Sequence, residues 1–225
     1  MGQEKGFTLI ELLVTIAITG IVMAGVYAAY YAQQKSYRNQ EEIAAVQQNL
    51  RAAMTIMGRE IRMAGYDPVL FDGLDNDGAN GIDDGGETSG AGIVIAQAGT
   101  IQITMDLTGG QGDGLDNDGD GVMDNGAERD YGDGALNDPN ENVTYRLSDS
   151  DGDGVDDTLV RNTGGGNQPL ARGLTSLNFV YLDADNNVTG SVVDIRSIVI
   201  ALTGTSESGA TRTLSTRVRC RNIGL

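Results

Sequence analysis

Residues 6–34 read GFTLIELLVTIAITGIVMAGVYAAYYAQQ, and Glu11 is the only charged residue among them. A helix needs about 20 apolar residues to cross the hydrocarbon core of a bilayer, so this stretch is long enough to span one. Lys5 precedes the stretch, and basic residues favour the cytoplasmic side of a membrane. The sequence therefore predicts a single membrane-spanning helix with its N-terminus inside the cell and the rest of the chain outside.

The junction in front of this helix differs from that of an ordinary signal peptide, which is cut at small residues after its apolar core. Here a small residue stands before the core, at Gly6–Phe7, and the letters TLIE follow. This arrangement resembles the class III leader of type IV prepilins and of type II secretion pseudopilins. The resemblance implies that a prepilin peptidase removes residues 1–6 and methylates the new terminal amine of Phe7.

Glu11 requires a physical explanation, because an acidic group within a spanning helix costs on the order of 3 kcal/mol. In the family that the leader resembles, the glutamate at this place meets the N-terminal amine of a neighbouring subunit. An amine is a suitable partner, since it is positively charged at neutral pH. The other interpretation places Glu11 at the membrane interface, with its carboxylate reaching the lipid headgroups. The surrounding motif favours a role in assembly.

Beyond the apolar stretch the pattern becomes that of an amphipathic helix over residues 33–65. Apolar residues recur there at intervals of three or four, which predicts one core-facing stripe: Ile43, Val46, Leu50, Met54, Met57 and Ile61. Gly65 is a suitable C-cap, and Pro68 prevents continuation. We therefore expect one helix from Phe7 to Ala64, with an assembly half over residues 7–32. Gly20 and Gly25 are either bending points or positions of close helix packing.

The composition excludes several classes of function. The 225 residues carry a net charge of -17, with 32 acidic and 15 basic residues, which disfavours binding to nucleic acid. The chain has no His and only Cys220, so it lacks histidine bases, thiolate zinc sites and an internal disulfide. Aspartates in glycine-rich loops are poor candidates for the rigid carboxylate pair of a glycosidase. We therefore do not expect an enzyme.

An internal repeat of aspartate-rich loops lies in the middle of the chain. The string DGLDNDG occurs at residues 72–78 and again at 113–119, and the related string DSDGDGVDD covers residues 149–157. Such segments favour turns, and their carboxylates repel one another unless a cation neutralises them. We expect loops at about residues 72–84, 113–128 and 149–157.

The spacing within two of these loops matches that of calcium ligands. Calcium takes 6 to 8 oxygens, and the EF-hand loop supplies them from positions 1, 3, 5, 7 and 9, with Gly at position 6. The candidate ligands are Asp75, Asp77 and Asp83 in the first loop, Asp116, Asp118, Asp120, Val122 and Asp124 in the second, and Asp149, Asp151, Asp153, Val155 and Asp157 in the third.

The calcium hypothesis predicts two or three Ca²⁺ sites, because the first loop is one residue out of step with the others. Position 12 holds Ala127 and Val160 instead of a bidentate Glu, so these loops resemble those of dockerins and thrombospondin type 3 repeats. The other interpretation is a solvated acidic surface without bound metal.

The C-terminal part, residues 66–225, is predicted to be a β-rich periplasmic domain. Short alternating or apolar runs predict strands: Gly92–Ala96, Thr100–Asp106, Val143–Leu147, Leu174–Leu182, Val192–Leu202 and Thr211–Arg219. An antiparallel sheet covering the outer half of the helix gives an α+β fold. The letters LNFVYLDADNNVTG, VDIRSIVIAL and STRVRCRN resemble the C-terminal sheet of PilW-type minor pilins.

Together these features predict a minor type IV pilin that acts in pilus assembly or initiation. The resemblance implies other minor pilins, the major pilin, the peptidase and the inner-membrane assembly platform as partners. It also implies an inner-membrane location before assembly and a surface pilus, with a role such as cell adhesion, afterwards. A minor pseudopilin of a type II secretion system and a filament-tip binding module remain as alternatives. The cluster Arg212, Arg217, Arg219 and Arg221 is either a solvated edge or a contact for an acidic neighbour.

Overall fold

The computed structural model describes residues 6–68, 90–108 and 138–223, together with residues 116, 121–123, 125, 132, 135 and 136. The chain divides into two compact units, Met1–Ala45 and Val46–Leu225. One α-helix, α1 (Leu9–Met63), contributes to both. The expectation of a single long helix is confirmed, and α1 runs without interruption through Gly20 and Gly25.

The end of α1 is set by Gly65, as the sequence predicts. Gly65 has φ +77°, a conformation that side chains other than glycine rarely adopt. The N–H of Gly65 donates to the carbonyl of Thr104 (3.0 Å), and the N–H of Tyr66 donates to the carbonyl of Met63 (2.8 Å). A Cβ at Gly65 would lie 2.9 Å from Cγ1 of Ile223, so the close approach also requires glycine.

Within the described residues, eight antiparallel strands form two sheets, one with the order β1-β2-β3-β4-β5 and one with the order β6-β7-β8. The strands are β1 (Ile93–Gln97), β2 (Thr100–Thr104), β3 (Asn142–Ser148), β4 (Thr158–Asn162), β5 (Asn167–Ala171), β6 (Leu174–Leu182), β7 (Ser197–Thr205) and β8 (Thr211–Arg219). Gly173, with φ +69°, lies in the short connection between the two sheets.

The α+β class and the antiparallel pairing are confirmed, but the expectation of one sheet with six strands is wrong. β4 and β5 were not predicted, because their segments TLVRN and NQPLA hold few apolar residues and β5 contains a proline and reads as a polar turn. β7 begins at Ser197, whereas we expected a strand from Val192. Val192–Asp194 form a 3₁₀ turn instead, in which no residue is buried. The apolar pattern therefore begins with the fully buried Ile195.

The core lies in the second unit, where the predicted stripe of α1 meets the strands. Leu50, Met57 and Ile61 are almost completely buried and pack in one cluster with strand residues such as Ile103 and Ile200. The prediction that the strands cover the outer part of the helix is thus confirmed. Ile43 and Val46, at the start of the stripe, are only half-buried.

A polar network also ties α1 to the five-stranded sheet. The Nε of Arg161 lies 3.1 Å from both carboxylate oxygens of Glu60, and its Nη2 lies 3.1 Å from Oε1. The hydroxyl of Tyr145 donates to the same carboxylate. Burial, and then this hydrogen bond, raise the pKa of Tyr145 far above its ordinary value. The network satisfies polar groups that would otherwise be costly to bury.

Candidate functional site

The first turn of α1 is closed by a reciprocal pair of side chains, Thr8 and Glu11. The N–H and the hydroxyl of Thr8 donate to Oε2 of Glu11, at 2.9 and 2.8 Å. The N–H of Glu11 donates in turn to the Thr8 hydroxyl (3.4 Å). This is a capping box, in which each side chain satisfies a backbone N–H that the helix leaves unpaired. The spacing Thr-x-x-Glu is visible in the sequence, but the expectations for Glu11 were a role in assembly or a place at the membrane interface, and a helix cap was overlooked.

The helix that follows exposes its apolar side chains in the first unit. Phe7 is 88% exposed, and Leu9 and Ile10 are 82% and 71% exposed. The most apolar 18-residue window of α1 has a mean hydropathy of 2.3, and none of it is buried in the protein. Soluble monomers rarely expose a continuous apolar surface of this kind, so an environment outside the chain must cover it.

The third aspartate loop brings three predicted ligands together. Carboxylate oxygens of Asp149, Asp151 and Asp153 lie within 4.8 Å of one another, and all three residues are exposed. The N–H groups of Gly152 and Gly154 donate to Asp149, at 2.7 and 2.9 Å, and lower its pKa. Asp149 is therefore held ionised within a fixed loop.

The described part of the second loop repeats one element of this geometry. The N–H of Gly121 donates to Oδ2 of Asp116 (2.7 Å), as that of Gly154 donates to Oδ2 of Asp149. Both glycines stand at position 6 and have nearly the same φ, +87° and +86°. The two loops thus start with the same turn, which agrees with their common spacing in the sequence.

The remaining predicted ligands are placed as follows. Val155, at position 7 of the third loop, points its carbonyl at the N–H of Asp157 (3.0 Å), and Val122 accepts from the Asn125 amide (3.1 Å). Asp157 does not belong to the group of three carboxylates, and its Oδ1 accepts from the Thr158 hydroxyl (3.1 Å). Asp75, Asp77, Asp83, Asp118, Asp120 and Asp124 lie outside the described residues, so these predictions stay predictions.

The donor set of the third loop suits a hard cation. It consists of three carboxylates, whose oxygens are ligands that calcium prefers. Asp156 adds a support that the spacing argument overlooked, because its Oδ1 accepts the N–H of Asp149 (2.7 Å) and closes the loop. Among the described residues, this is the one group of three carboxylates close enough to share an ion.

A comparison with known families gives a match at the N-terminus. Residues 1–27 match the prokaryotic N-terminal methylation motif, the class III prepilin leader. Together with the apolar helix, the motif fits a type IV pilin-like or pseudopilin-like protein, a structural kind of protein, anchored in the inner membrane. Such a leader implies processing by a prepilin peptidase and assembly with other pilins. No curated protein matches the chain significantly.

Proposed function

We propose that this protein is a minor type IV pilin that takes part in pilus assembly or initiation through its N-terminal helix. The observation that carries the proposal is the methylation motif at residues 1–27, joined to a helix whose apolar half is exposed. The motif supplies a mature N-terminus at Phe7. The exposed half supplies a surface that needs lipid before assembly and the helices of neighbouring pilins afterwards.

In this proposal the protein begins as a single-pass inner-membrane protein with its N-terminus inside, and it ends in a surface pilus. Its partners are other minor pilins of the PilW kind, the major pilin and the assembly platform. Glu11 pairs with the terminal amine of a neighbour, while its hydrogen bonds to Thr8 hold the carboxylate at the start of the helix. The capping box thus orients a charge that assembly then uses.

Two substitutions separate capping from pairing. Glu11→Gln keeps a residue that can complete a capping box but removes the charge. Thr8→Val removes the hydroxyl of the box but keeps the carboxylate. We expect both variants to be cleaved normally after Gly6, as judged by mass spectrometry of the mature N-terminus. In sheared pili, quantified by immunoblot, Glu11→Gln should be strongly depleted and Thr8→Val only mildly. Normal incorporation of Glu11→Gln would reduce Glu11 to a helix cap and remove the pairing step.

We also propose that calcium braces the aspartate loops. Three observations support this: the repeated ligand spacing, the convergence of Asp149, Asp151 and Asp153, and the matching Asp–Gly hydrogen bonds in two loops. A bound cation would offset the mutual repulsion of the carboxylates and stabilise the folded loop over the unfolded chain. The third loop joins β3 to β4, so its stability is coupled to the five-stranded sheet.

The test is thermal unfolding of the full-length protein in detergent, with calcium or with a chelator, together with calorimetric titration. Calcium at about 100 times its Kd should stabilise the protein by about 2.7 kcal/mol for one site. Asp151→Asn, which keeps the side-chain shape, should remove one binding event and lower the calcium-dependent shift. Asp194→Asn, an exposed aspartate outside the loops, is the matched control. An unchanged melting temperature in calcium would leave the loops as a solvated acidic surface.

A further inference from the structure

Strand β8 is the outer strand of the three-stranded sheet, and it pairs with β7 alone among the described strands. An unpaired edge presents free backbone N–H and C=O groups to any extended chain that approaches. Six of its nine residues are exposed along the pattern eeeieieBe. The edge is therefore accessible, and its side chains decide what can pair with it.

The alternation of the ladder shows which backbone groups are free. Cys220 donates its N–H to Arg196, and Ser206 donates to Ala210, at 3.0 Å each. Hydrogen-bonded pairs recur at every second residue of an antiparallel ladder. The even-numbered residues of β8 therefore bond to β7, while the N–H and C=O of Thr213, Ser215 and Arg217 point to the open edge.

Arginines flank this edge on both faces of the sheet. On the helix side, a groove of about 650 Å³ lies between α1 and β8, and its lining includes Arg51, Arg59 and Arg62. Arg212 lines an adjoining pocket together with Arg51. Strand alternation thus separates Arg212 from the other arginines of the cluster found in the sequence.

On the opposite face, Arg196, Arg217, Arg219 and Arg221 line a second groove of about 640 Å³. Arg217 donates to the hydroxyl of Ser197, at 2.7 Å from Nη2, and to the side-chain carbonyl of Asn186, so its guanidinium reaches over β7 and away from the open edge. Within the described residues, Asp183 is the only carboxylate that lines this groove. The groove is therefore strongly positive, although the whole protein carries a net charge of -17.

We propose that β8 accepts an acidic, extended polypeptide segment of a partner protein as an added strand. Side chains of an added strand alternate between the two faces. Acidic residues on the helix side would meet the arginines of the first groove, and those on the opposite face would meet the exposed Arg219. The same charges oppose pairing of β8 with a second β8, since arginines would then face arginines. The edge thus rejects its own copies and selects an acidic strand. This inference goes beyond the assembly role and does not depend on it.

The experiment uses the full-length protein in detergent and three labelled ten-residue peptides, with binding followed by fluorescence anisotropy. The first peptide alternates Glu with Val and Thr, the second has Lys in place of Glu, and the third is the acidic peptide with alternate backbone nitrogens methylated. We expect the first to bind in a salt-sensitive manner and the other two to fail. Equal binding of the methylated peptide would overturn strand addition. If the first peptide does not bind, the proposal fails, and the arginines only prevent other strands from pairing with this edge.

Variants test each part of the surface. Ser215→Pro removes one outward N–H without touching the ladder to β7, and it should weaken binding about tenfold while the melting temperature stays close to that of the parent. Arg219→Gln removes one positive charge from the exposed face and should also weaken binding. Arg172→Gln removes the same charge from an exposed residue outside both grooves and should have no effect. If Arg219→Gln and Arg172→Gln weaken binding equally, net charge alone explains it and the proposal fails.

Discussion

The two halves of α1 have the same backbone and opposite surroundings. Met23, in the first unit, is 63% exposed, whereas Met57, in the second, is completely buried. The two glutamate side chains differ in the same way: among the described residues the Glu11 carboxylate bonds to Thr8, three positions away, whereas that of Glu60 binds residues more than 80 positions away. A regular helix therefore does not determine its own environment. The second half finds its partners in the chain, and the first half needs lipid or neighbouring subunits.

The largest expected effect comes from the methionine pair. Met57→Ala should lower the free energy of unfolding by about 2–5 kcal/mol, because it leaves a cavity between α1 and the sheets. Met23→Ala should change it by less than about 0.5 kcal/mol, since no core atoms are lost. Urea unfolding in detergent, followed by near-ultraviolet circular dichroism, measures both. Similar losses in the two variants would show that the first half also contributes to the folded core.

The glutamate pair sharpens the same comparison for polar groups. Glu60→Gln leaves Arg161, whose side chain is only 12% exposed, without its anionic partner. We expect a loss of about 1.5–3 kcal/mol in the same unfolding measurement, the range for hydrogen bonds to charged groups. Glu11→Gln should leave this value unchanged, because it retains a capping residue and lies outside the packed unit. A Glu60→Gln protein as stable as the parent would show that the ion pair adds no net stability.

Much of the fold follows from local patterns, and these patterns are strongest in the helix. The spacing of Leu50, Met57 and Ile61 predicts the buried face, and Gly65 predicts the end of α1. The split into two sheets and the strands β4 and β5 were not predictable in this way. Those strands are poor in apolar residues, and pairing with neighbours rather than their own composition makes them strands. The network of Glu60, Tyr145 and Arg161 joins three distant segments, so no local pattern reveals it.

The site was predictable to a similar degree. Repeated spacing predicted that Asp149, Asp151 and Asp153 would lie together, because residues on one loop are close in sequence as well as in space. Asp156, which closes that loop, does not stand in a ligand position and was therefore overlooked. Arg196 joins Arg217 and Arg219 only through the pairing of β7 with β8. Sequence reasoning thus finds groups of side chains built within one segment and misses those assembled by the sheet.

The third prediction concerns the boundary of the helix. Gly65→Ala places a Cβ in a left-handed conformation and within 3.0 Å of the Asn222 carbonyl oxygen. We expect it to lower the free energy of unfolding by about 1–2 kcal/mol, the strain of that conformation for an ordinary residue. Gly20→Ala, in the exposed half, meets no atom within 4 Å and is the control in the same urea titration. If Gly65→Ala matched the control, neither the strain nor the close contact would set the end of α1.

The smallest expected effect has the opposite sign. Gly58 lies in the packed half of α1, and a Cβ there would be 3.6 Å from Cγ2 of Val218, an ordinary van der Waals contact. Gly58→Ala should therefore raise the free energy of unfolding by about 0.5–1 kcal/mol, because alanine loses less backbone entropy in a helix and fits the available space. A loss of stability in urea unfolding would mean that α1 and β8 approach too closely to accept a methyl group. Gly58 also lines the groove beside β8, so the same variant tests whether side chains of the acidic peptide enter that groove. Binding of the peptide should weaken if its side chains enter the groove, and it should stay unchanged if they remain above it.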